Sequence, residues 1–516
     1  MKKIGCTSLL LLLVLVLLPS NTTAAKSTTA QGISFPDPML ELIVRHYIDK
    51  PTGTITQSDV DKITSIDTNE VHAMLAKKAK RPGVSSPLTG IKNLKGLRYL
   101  RNLESLHIEL RHDPVVMHTI KDITELKELK KLKKLSLTGV SLELLKGIET
   151  LTGLTSLDLS SNIIENLEPL QNLTNLEYLN LSWNQLNQGS GLAPLKRMNK
   201  LKTLNLYMNS MEDIMPLSHL TALQELTLGG SGNGNLKALS TLKNLRKLNI
   251  DYFNATDIKP LASLIKLQEL SMVNNQIEDL TPLTGMKQLQ ILNVSENRLK
   301  SLKPLQHLTE LRILKASYNQ IESLEPLKDL IHLKQAEFQN NRLLSLQGLE
   351  NKNKLKSVSL VNNVIDTRSD APAASILARL EEQGTEVSYT NFTPFPDILL
   401  LRKTKFSYAF GKFVELPATP YERNGRTFVP LRVISELLGA EVQWNQKAQT
   451  VTIKHDRDTI VLTAGSLEMK VNEQPVTIDT APVVYGDNMF VPIRFIAEQF
   501  GMLIKPNGHG VSINRF

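Results

Sequence analysis

Residues 267–288 read LQELSMVNNQIEDLTPLTGMKQ, and residues 289–310 read LQILNVSENRLKSLKPLQHLTE. Laid over one another, the two stretches keep apolar residues, an Asn and a Pro in the same places, in the pattern L-x-x-L-x-L-x-x-N-x-I-x-x-L-x-P-L. Taking Leu270 and Leu292 as register, the pattern extends both ways through Leu135, Leu157, Leu179, Leu204, Leu226, Leu248, Leu314, Ala336 and Val358. Every interval is 22 residues except Leu179 to Leu204, which is 25, and Leu106 begins an earlier, less regular copy. A period of this length marks a stack of small units, each unable to bury its own apolar face.

The chemistry of the unit follows from its spacing. The L-x-L core alternates with period two, so each unit contributes one short strand whose leucines point inward, and stacked units form a parallel ladder. Five residues after the register position stands an Asn, at Asn162, Asn184, Asn209, Asn275, Asn297, Asn319, Asn341 and Asn363. Its side-chain amide suits the free backbone groups of a turn. Twelve residues after the register position comes Pro169, Pro216, Pro260, Pro282, Pro304 or Pro326, with Pro194 joining once the insertion is counted. Proline fixes φ and needs no amide partner, which suits a tight, helix-poor convex side. A 22-residue repeat with this proline resembles the internalin-type branch of bacterial leucine-rich-repeat proteins, over roughly residues 33 to 391. The resemblance implies a leucine-rich-repeat solenoid with its parallel β ladder on the concave face, used for binding.

The flanks fit that reading. Phe35 to Glu41, Gly53 to Thr56 and Asp59-Val60 suggest a helical N-terminal cap over 33–85 ahead of repeats over 86–366. Asp49 to Thr56 superficially suggests a calcium loop, but Lys, Pro and Gly occupy the other ligand positions, so it reads as a cap turn. Ile376, Leu377 and Leu380, then Gly384 and Val387-Ser388-Tyr389, predict a helix and strand that close the array over 367–391.

From about Phe395 the period is lost, and residues 395–516 contain their own duplication. Phe428-Val429-Pro430-Leu431-Arg432 leads into Ile434-Ser435-Glu436, and Phe490-Val491-Pro492-Ile493-Arg494 leads into Ile496-Ala497-Glu498. Each copy predicts a strand, a short amphipathic helix and a glycine stop, giving a small α+β domain of two half-repeats. The V-P-[LI]-R-x-[IF]-[SA]-E motif and Trp444 resemble the N-terminal domain of copper amine oxidase. In that family the copper belongs to a separate catalytic domain, and here His455 and His509 fall short of a three-histidine set, so no metal or cofactor is expected. The resemblance implies an accessory stalk or attachment module. Arg432 with Glu436, and Arg494 with Glu498, stand at i and i+4 and are expected to pair along their helices.

Lys2 and Lys3, an unbroken apolar run from Leu9 to Leu18, and Thr23-Ala24-Ala25 describe a signal peptide over 1–25. Ten apolar residues are too few for a membrane span, which needs about 20. Cys6 precedes the run and leaves with it, so the mature chain has no disulfide, thiolate ligand or cysteine nucleophile, as suits a Gram-positive exterior. The net charge of +9 is concentrated in Lys77 to Arg81 and in Lys127 to Lys134. Without a nucleic-acid module, this reads as a solvated face with weak attraction to anionic wall polymers.

Aromatic residues make up only 5% of the chain, yet Tyr178, Trp183, Tyr207, Met208, Tyr252 and Tyr318 fall at non-leucine positions of the strand segments, which are expected to face the concave surface. Tyr and Trp combine apolar area with a hydrogen-bonding tip and are favoured anchors. Three irregularities lie nearby: an insertion over Asn187 to Gly191, the turn Gly229 to Gly234 with Ser231 in the Asn place, and Phe253 in the next Asn place. The expectation is a secreted, monomeric, non-enzymatic protein that binds a protein or glycan on its concave face. The alternatives are a structural wall or surface-layer component, or a targeting subunit of a wall-acting enzyme.

Overall fold

The computed structural model describes residues 32–78, 91–109, 120–186, 191–230, 232–365, 367, 371–390, 398–401, 406–409, 412–455, 458–507 and 510–515. The leader over 1–25, Lys80, Arg81, residues 187–190 of the insertion, Ser231, Phe395 and His509 lie outside these.

The chain enters through a helix, Pro38–Tyr47, set by proline in its first turn and by the Asp37 carboxylate, whose Oδ1 accepts from the amides of Met39 and Leu40. The other oxygen of Asp37 accepts from Lys92 and Asn93, so one buried side chain caps the helix and ties it to the first coil. In the neighbouring turn, Lys50 Nζ donates to the Thr54 carbonyl at 2.7 Å and to Asp59 Oδ2 at 2.9 Å. A lysine ammonium thus takes the place a cation would need there.

Fourteen strands, from Ser65–Asp67 to Glu386–Ser388, form one parallel sheet in strict sequence order among the described residues. Register is set by the repeat: Leu157 lies opposite Leu179, Leu179 opposite Leu204, and so on through Leu314 opposite Ala336. Most strands are three residues long, with the middle residue buried and its neighbours partly exposed. The convex side is built from short 3-10 turns such as Glu168–Leu170, Lys259–Ser263 and Lys303–Leu305, with proline in the first turn. That proline starts a turn whose first amides have no partner in any case. The helix Pro372–Glu382 covers the far end with Ile376, Leu377 and Leu380 buried beneath it.

One apolar cluster runs from Phe35 to Leu380, almost wholly aliphatic. Lys352 is the most deeply buried charged residue in this array among the described residues. It stands six residues before the register Val358, the place held by leucine at Leu264, Leu308 and Leu330, and it is fully buried. Its Nζ donates to the Lys328 carbonyl at 2.8 Å, and burial pushes its pKa down against the pull of Glu350 and Asp329.

The C-terminal segment has a separate apolar cluster, from Ile398 to Ile513. It is rich in antiparallel strands, with helices Leu431–Leu437 and Ile493–Gln499. The half-repeats meet where strand Arg426–Pro430 pairs with Asn488–Pro492 and Val429 faces Val491. Asn472 and Glu473, both at positive φ, make the tight turn between Glu468–Val471 and Gln474–Thr477. Pro475 lies in the second of these strands, an edge that needs no amide on its open side. The two expected helical ion pairs are not formed among the described residues: Arg432 and Glu436, like Arg494 and Glu498, are exposed and do not pair along their helices. Fixing two long exposed side chains costs about as much as the pair returns in water.

Candidate functional site

The concave surface is made by the residues that flank each register position. In the central coils the residue just after it forms an unbroken file: Asp158, Asn180, Asn205, Thr227, Asn249 and Ser271, each directly opposite the next. All are short and polar. The three Asn and Asp residues at the front of the file are locked by their own backbone, because Oδ1 accepts from the amide two residues on: Ser160 at 2.9 Å, Ser182 at 3.1 Å and Tyr207 at 3.0 Å. Asn249 does the same with Asp251 at 2.9 Å. Such local bonds hold the outer edge of each side chain toward solvent at little further entropic cost.

The six aromatic and methionine positions divide. Tyr178 is a strand residue, half-buried, and its hydroxyl pKa is pushed up by burial and by the nearby Asp158 carboxylate. Tyr207 stands two residues beyond the end of its strand, Thr203–Asn205. Trp183, Met208, Tyr252 and Tyr318 sit one place further on, at φ of 57°, 57°, 57° and 55°. They are therefore in a left-handed turn along one margin of the concave face rather than in the strands. Coils elsewhere fill this place with Gly139, Ser161, Gly230, Asn274, Glu296, Asn340 and Asn362. Trp183, Tyr252 and Tyr318 are 54%, 47% and 56% exposed, so packing does not explain why a bulky residue accepts the left-handed backbone.

Trp183 and Tyr207 meet edge to face, with centroids 6.3 Å apart at 68°. Tyr207 also reaches across the next coil, where a Cβ on Gly229 would stand 3.1 Å from its Cε2. Gly229 therefore leaves the room that the tyrosine ring takes. Gly232 and Phe253 share a core explanation. Phe253 is fully buried, and a Cβ on Gly232 would fall 2.3 Å from its ring. Where Phe replaces Asn, the preceding turn must lose its side chain.

The Asn column binds coils together rather than closing single turns. Asn297 Nδ2 donates to Met272 O in the preceding coil at 2.8 Å and to Val294 O in its own at 3.1 Å, while Oδ1 accepts from Ile277 N at 3.0 Å. Asn162, Asn184, Asn275, Asn319, Asn341 and Asn363 repeat this two-coil bracket. Asn209 makes only the donor half, and its buried Oδ1 has no partner. It belongs to the coil that follows the insertion.

At the entry margin of the strands, cations are met by carboxylates one coil away: Lys133 with Glu104 at 2.8 Å, Lys202 with Glu177 at 2.7 Å, and Lys247 with Glu269 at 3.1 Å. In the C-terminal domain a cavity of about 750 Å³ is lined by Arg426, Asp479, Arg494 and Glu498 over an apolar floor. The His455 ring lies 4.6 Å from that of Phe500, tilted at 55° to it. Among the described residues, no group of three or more His, Cys, Asp or Glu is placed to hold a metal ion, and no helix is long and apolar enough to cross a membrane.

Comparison with known proteins bears on both segments. Residues 265–307 and 287–329 match tandem leucine-rich repeats, and residues 175–198 match a single one. An internalin of Listeria monocytogenes is similar in structure, with a TM-score of 0.60 at 26% identity, covering 71% of this chain and 100% of that one. The chain is a leucine-rich-repeat protein with an internalin-like array. A leucine-rich-repeat protein of Leptospira interrogans is also similar, with a TM-score of 0.50 at 25% identity over 58% of this chain and 81% of its own. Residues 408–514 match the copper amine oxidase N-terminal domain, so the leucine-rich-repeat array is followed by a second module of known family. No curated protein sequence matches the chain.

Sequence reasoning located the aromatic residues but not their backbone. The signal was available in the offset: their place in the repeat is otherwise Gly, Asn, Ser or Glu, small or polar residues that a left-handed turn tolerates. The file from Asp158 to Ser271 was also missed, since a column of polar strand residues looks like any solvated face until register aligns it.

Proposed function

We propose that this is a secreted or cell-surface binding protein that grips a partner on the concave face, and that it is not an enzyme. In this reading the leader over 1–25 is removed on export. A cap over 33–85, repeats over 86–366 and a closing cap over 367–391 form the binding unit. The module over 395–516 spaces or attaches it. The observation that carries the reading is the aromatic set beside the fixed polar file, with Trp183 and Tyr252 exposed at left-handed positions, Tyr178 partly buried, and Tyr207, also partly buried, against Trp183. Large amphipathic side chains kept exposed at a backbone position that disfavours them are expected where a partner repays the strain.

Full-length protein lacking the leader, immobilised and challenged with cell-surface extract, should retain a partner. The triple variant Tyr178→Ala, Trp183→Asn, Tyr207→Ala should lose it while still unfolding cooperatively. Undiminished retention by the triple variant would instead favour a structural wall component recruited through residues 395–516. Fractionating cells into wall-bound and medium pools tests the location, and a cytoplasmic pool would sink it.

A further inference from the structure

We infer that the partner is a neutral glycan chain, seated across the strands from Ser156–Asp158 to Lys247–Asn249 with its sugar rings against Tyr178, Tyr207 and Trp183. This rests on the concave-face reading above and names the chemistry of that face. A sugar hydroxyl both donates and accepts, so it is best met by side chains that offer both functions close together. In the file Asn180, Asn205, Thr227 and Asn249 are side chains of this kind, with the acceptor Asp158 ahead of them, at the roughly 4.8 Å spacing of neighbouring strands, close to the length of one hexopyranose unit.

Local geometry divides the file into engaged and available atoms. The Oδ1 edges are used by backbone amides, Asn180 Nδ2 donates to Asp158 Oδ2 at 3.0 Å, and Asn249 Nδ2 donates to Asp251 Oδ2 at 2.8 Å. Asn205 Nδ2 has no acceptor among the described residues, and it stands in the coil between Tyr178 and the glycine-rich turn. A side chain already fixed on one edge with a donor free on the other is pre-organised for a ligand hydroxyl. The rings supply the other half. Tyr207 reaches over Gly229 while Trp183 stands at 68° to it, so the two make a floor and a wall against which the apolar C–H face of a pyranose can pack.

Charge selects among ligand classes. Across the strands from Ser156–Asp158 to Lys247–Asn249 the residues flanking the register positions carry two carboxylates, Asp158 and Glu225, and one cation, Lys247, which is held by Glu269 at 3.1 Å. Asp251, locked by Ser271 Oγ and Val273 N at 2.7 Å each, adds a further carboxylate nearby. An anionic polymer would be repelled here, and a neutral, hydroxyl-rich chain would not.

The test titrates the full-length protein without its leader against cellotetraose, chitotetraose and maltotetraose. At least one is expected to bind, with the dissociation constant raised about tenfold or more by Trp183→Asn, by Tyr207→Ala and by Asn205→Ala. Tyr485→Ala, on the exposed edge of the C-terminal domain, should leave it unchanged. Asn at 183 suits the left-handed turn, so a loss in that variant cannot be ascribed to misfolding. In parallel, surface extract is treated with periodate or with proteinase before capture. Loss of capture after periodate supports a glycan, whether or not proteinase also releases it. Capture that survives periodate, or absence of tetrasaccharide binding at millimolar concentration, overturns the glycan and leaves concave-face binding standing. Failure of the untreated extract to yield any partner sinks the broader reading instead.

Discussion

At position 352 the array places an ammonium where its other coils place leucine or, at Met198 and Met286, methionine, and the free-energy consequence can be measured. Burial removes Lys352 from water, and one carbonyl acceptor, Lys328 O at 2.8 Å, replaces only part of its hydration. Lys352→Met should therefore stabilise the protein by about 1–3 kcal/mol at pH 7, read as a higher urea midpoint. Because the folded-state pKa is pushed below the unfolded value, the unfolded chain binds more protons between the two, and wild-type stability rises with pH in that window. The advantage of the methionine variant should shrink as pH is raised toward 10, and an advantage constant with pH would show that packing alone is at stake. Trp183 poses the opposite case. Replacing an exposed left-handed Trp by Asn should raise stability by about 0.5–1 kcal/mol, less whatever the contact with Tyr207 supplied. A clear loss of stability would mean that the ring is structural. Neither feature could be read from its residue alone. Lys352 looks like one more surface cation in a basic stretch, and only its offset from Val358 puts it in the core.

The unit of this fold is the coil, and the Asn bracket is what joins one coil to the next. Asn297→Ala removes two strong donations and one acceptance, leaving the Met272 carbonyl and the Ile277 amide buried without partners. That should cost about 2–4 kcal/mol. Asn209→Ala should cost distinctly less, since its Oδ1 accepts nothing in the native fold. Equal shifts in chemical denaturation midpoint for the two variants would show that the acceptor half of the bracket contributes little. At this scale the sequence was most informative. Period, strand register, proline turns and the Asn column all follow from one repeating pattern, because every coil solves the same burial problem with the same residues. It was least informative where two coils solve the problem jointly. Phe253 and Gly232 are departures when each is taken alone and a single packing solution when read together, and nothing within one 22-residue window reveals that. The helical pairs Arg432–Glu436 and Arg494–Glu498 failed for the converse reason: the spacing was right, but an exposed pair has too little to gain from closing.

Over the whole molecule, two apolar clusters share no residue: one runs from Phe35 to Leu380, the other from Ile398 to Ile513. Each can therefore melt on its own, and calorimetry should resolve two transitions. Leu292→Ala should lower only the one belonging to the repeats, and Val491→Ala only the other, each by a few kcal/mol for the cavity it opens. Acid separates them further. The carboxylates held below their ordinary range, Asp59, Glu104, Asp122, Glu125 and Asp279, all belong to the repeat array and its cap. Glu125 is the most buried of them; Arg98 holds it in an ion pair and the Gly96 amide donates to it at 3.2 Å. A carboxyl group whose pKa is depressed by folding stabilises fully above its unfolded value and loses that contribution as pH falls through the folded one. The array transition should thus hold steady from about pH 7 to 5 and drop steeply below about pH 4.5. Glu125→Gln should lower it at pH 7 and flatten part of the acid limb, because the group that titrates is gone while the side-chain volume remains. If that variant kept the full wild-type acid slope, the Arg98–Glu125 pair would have no share in the acid sensitivity of the array.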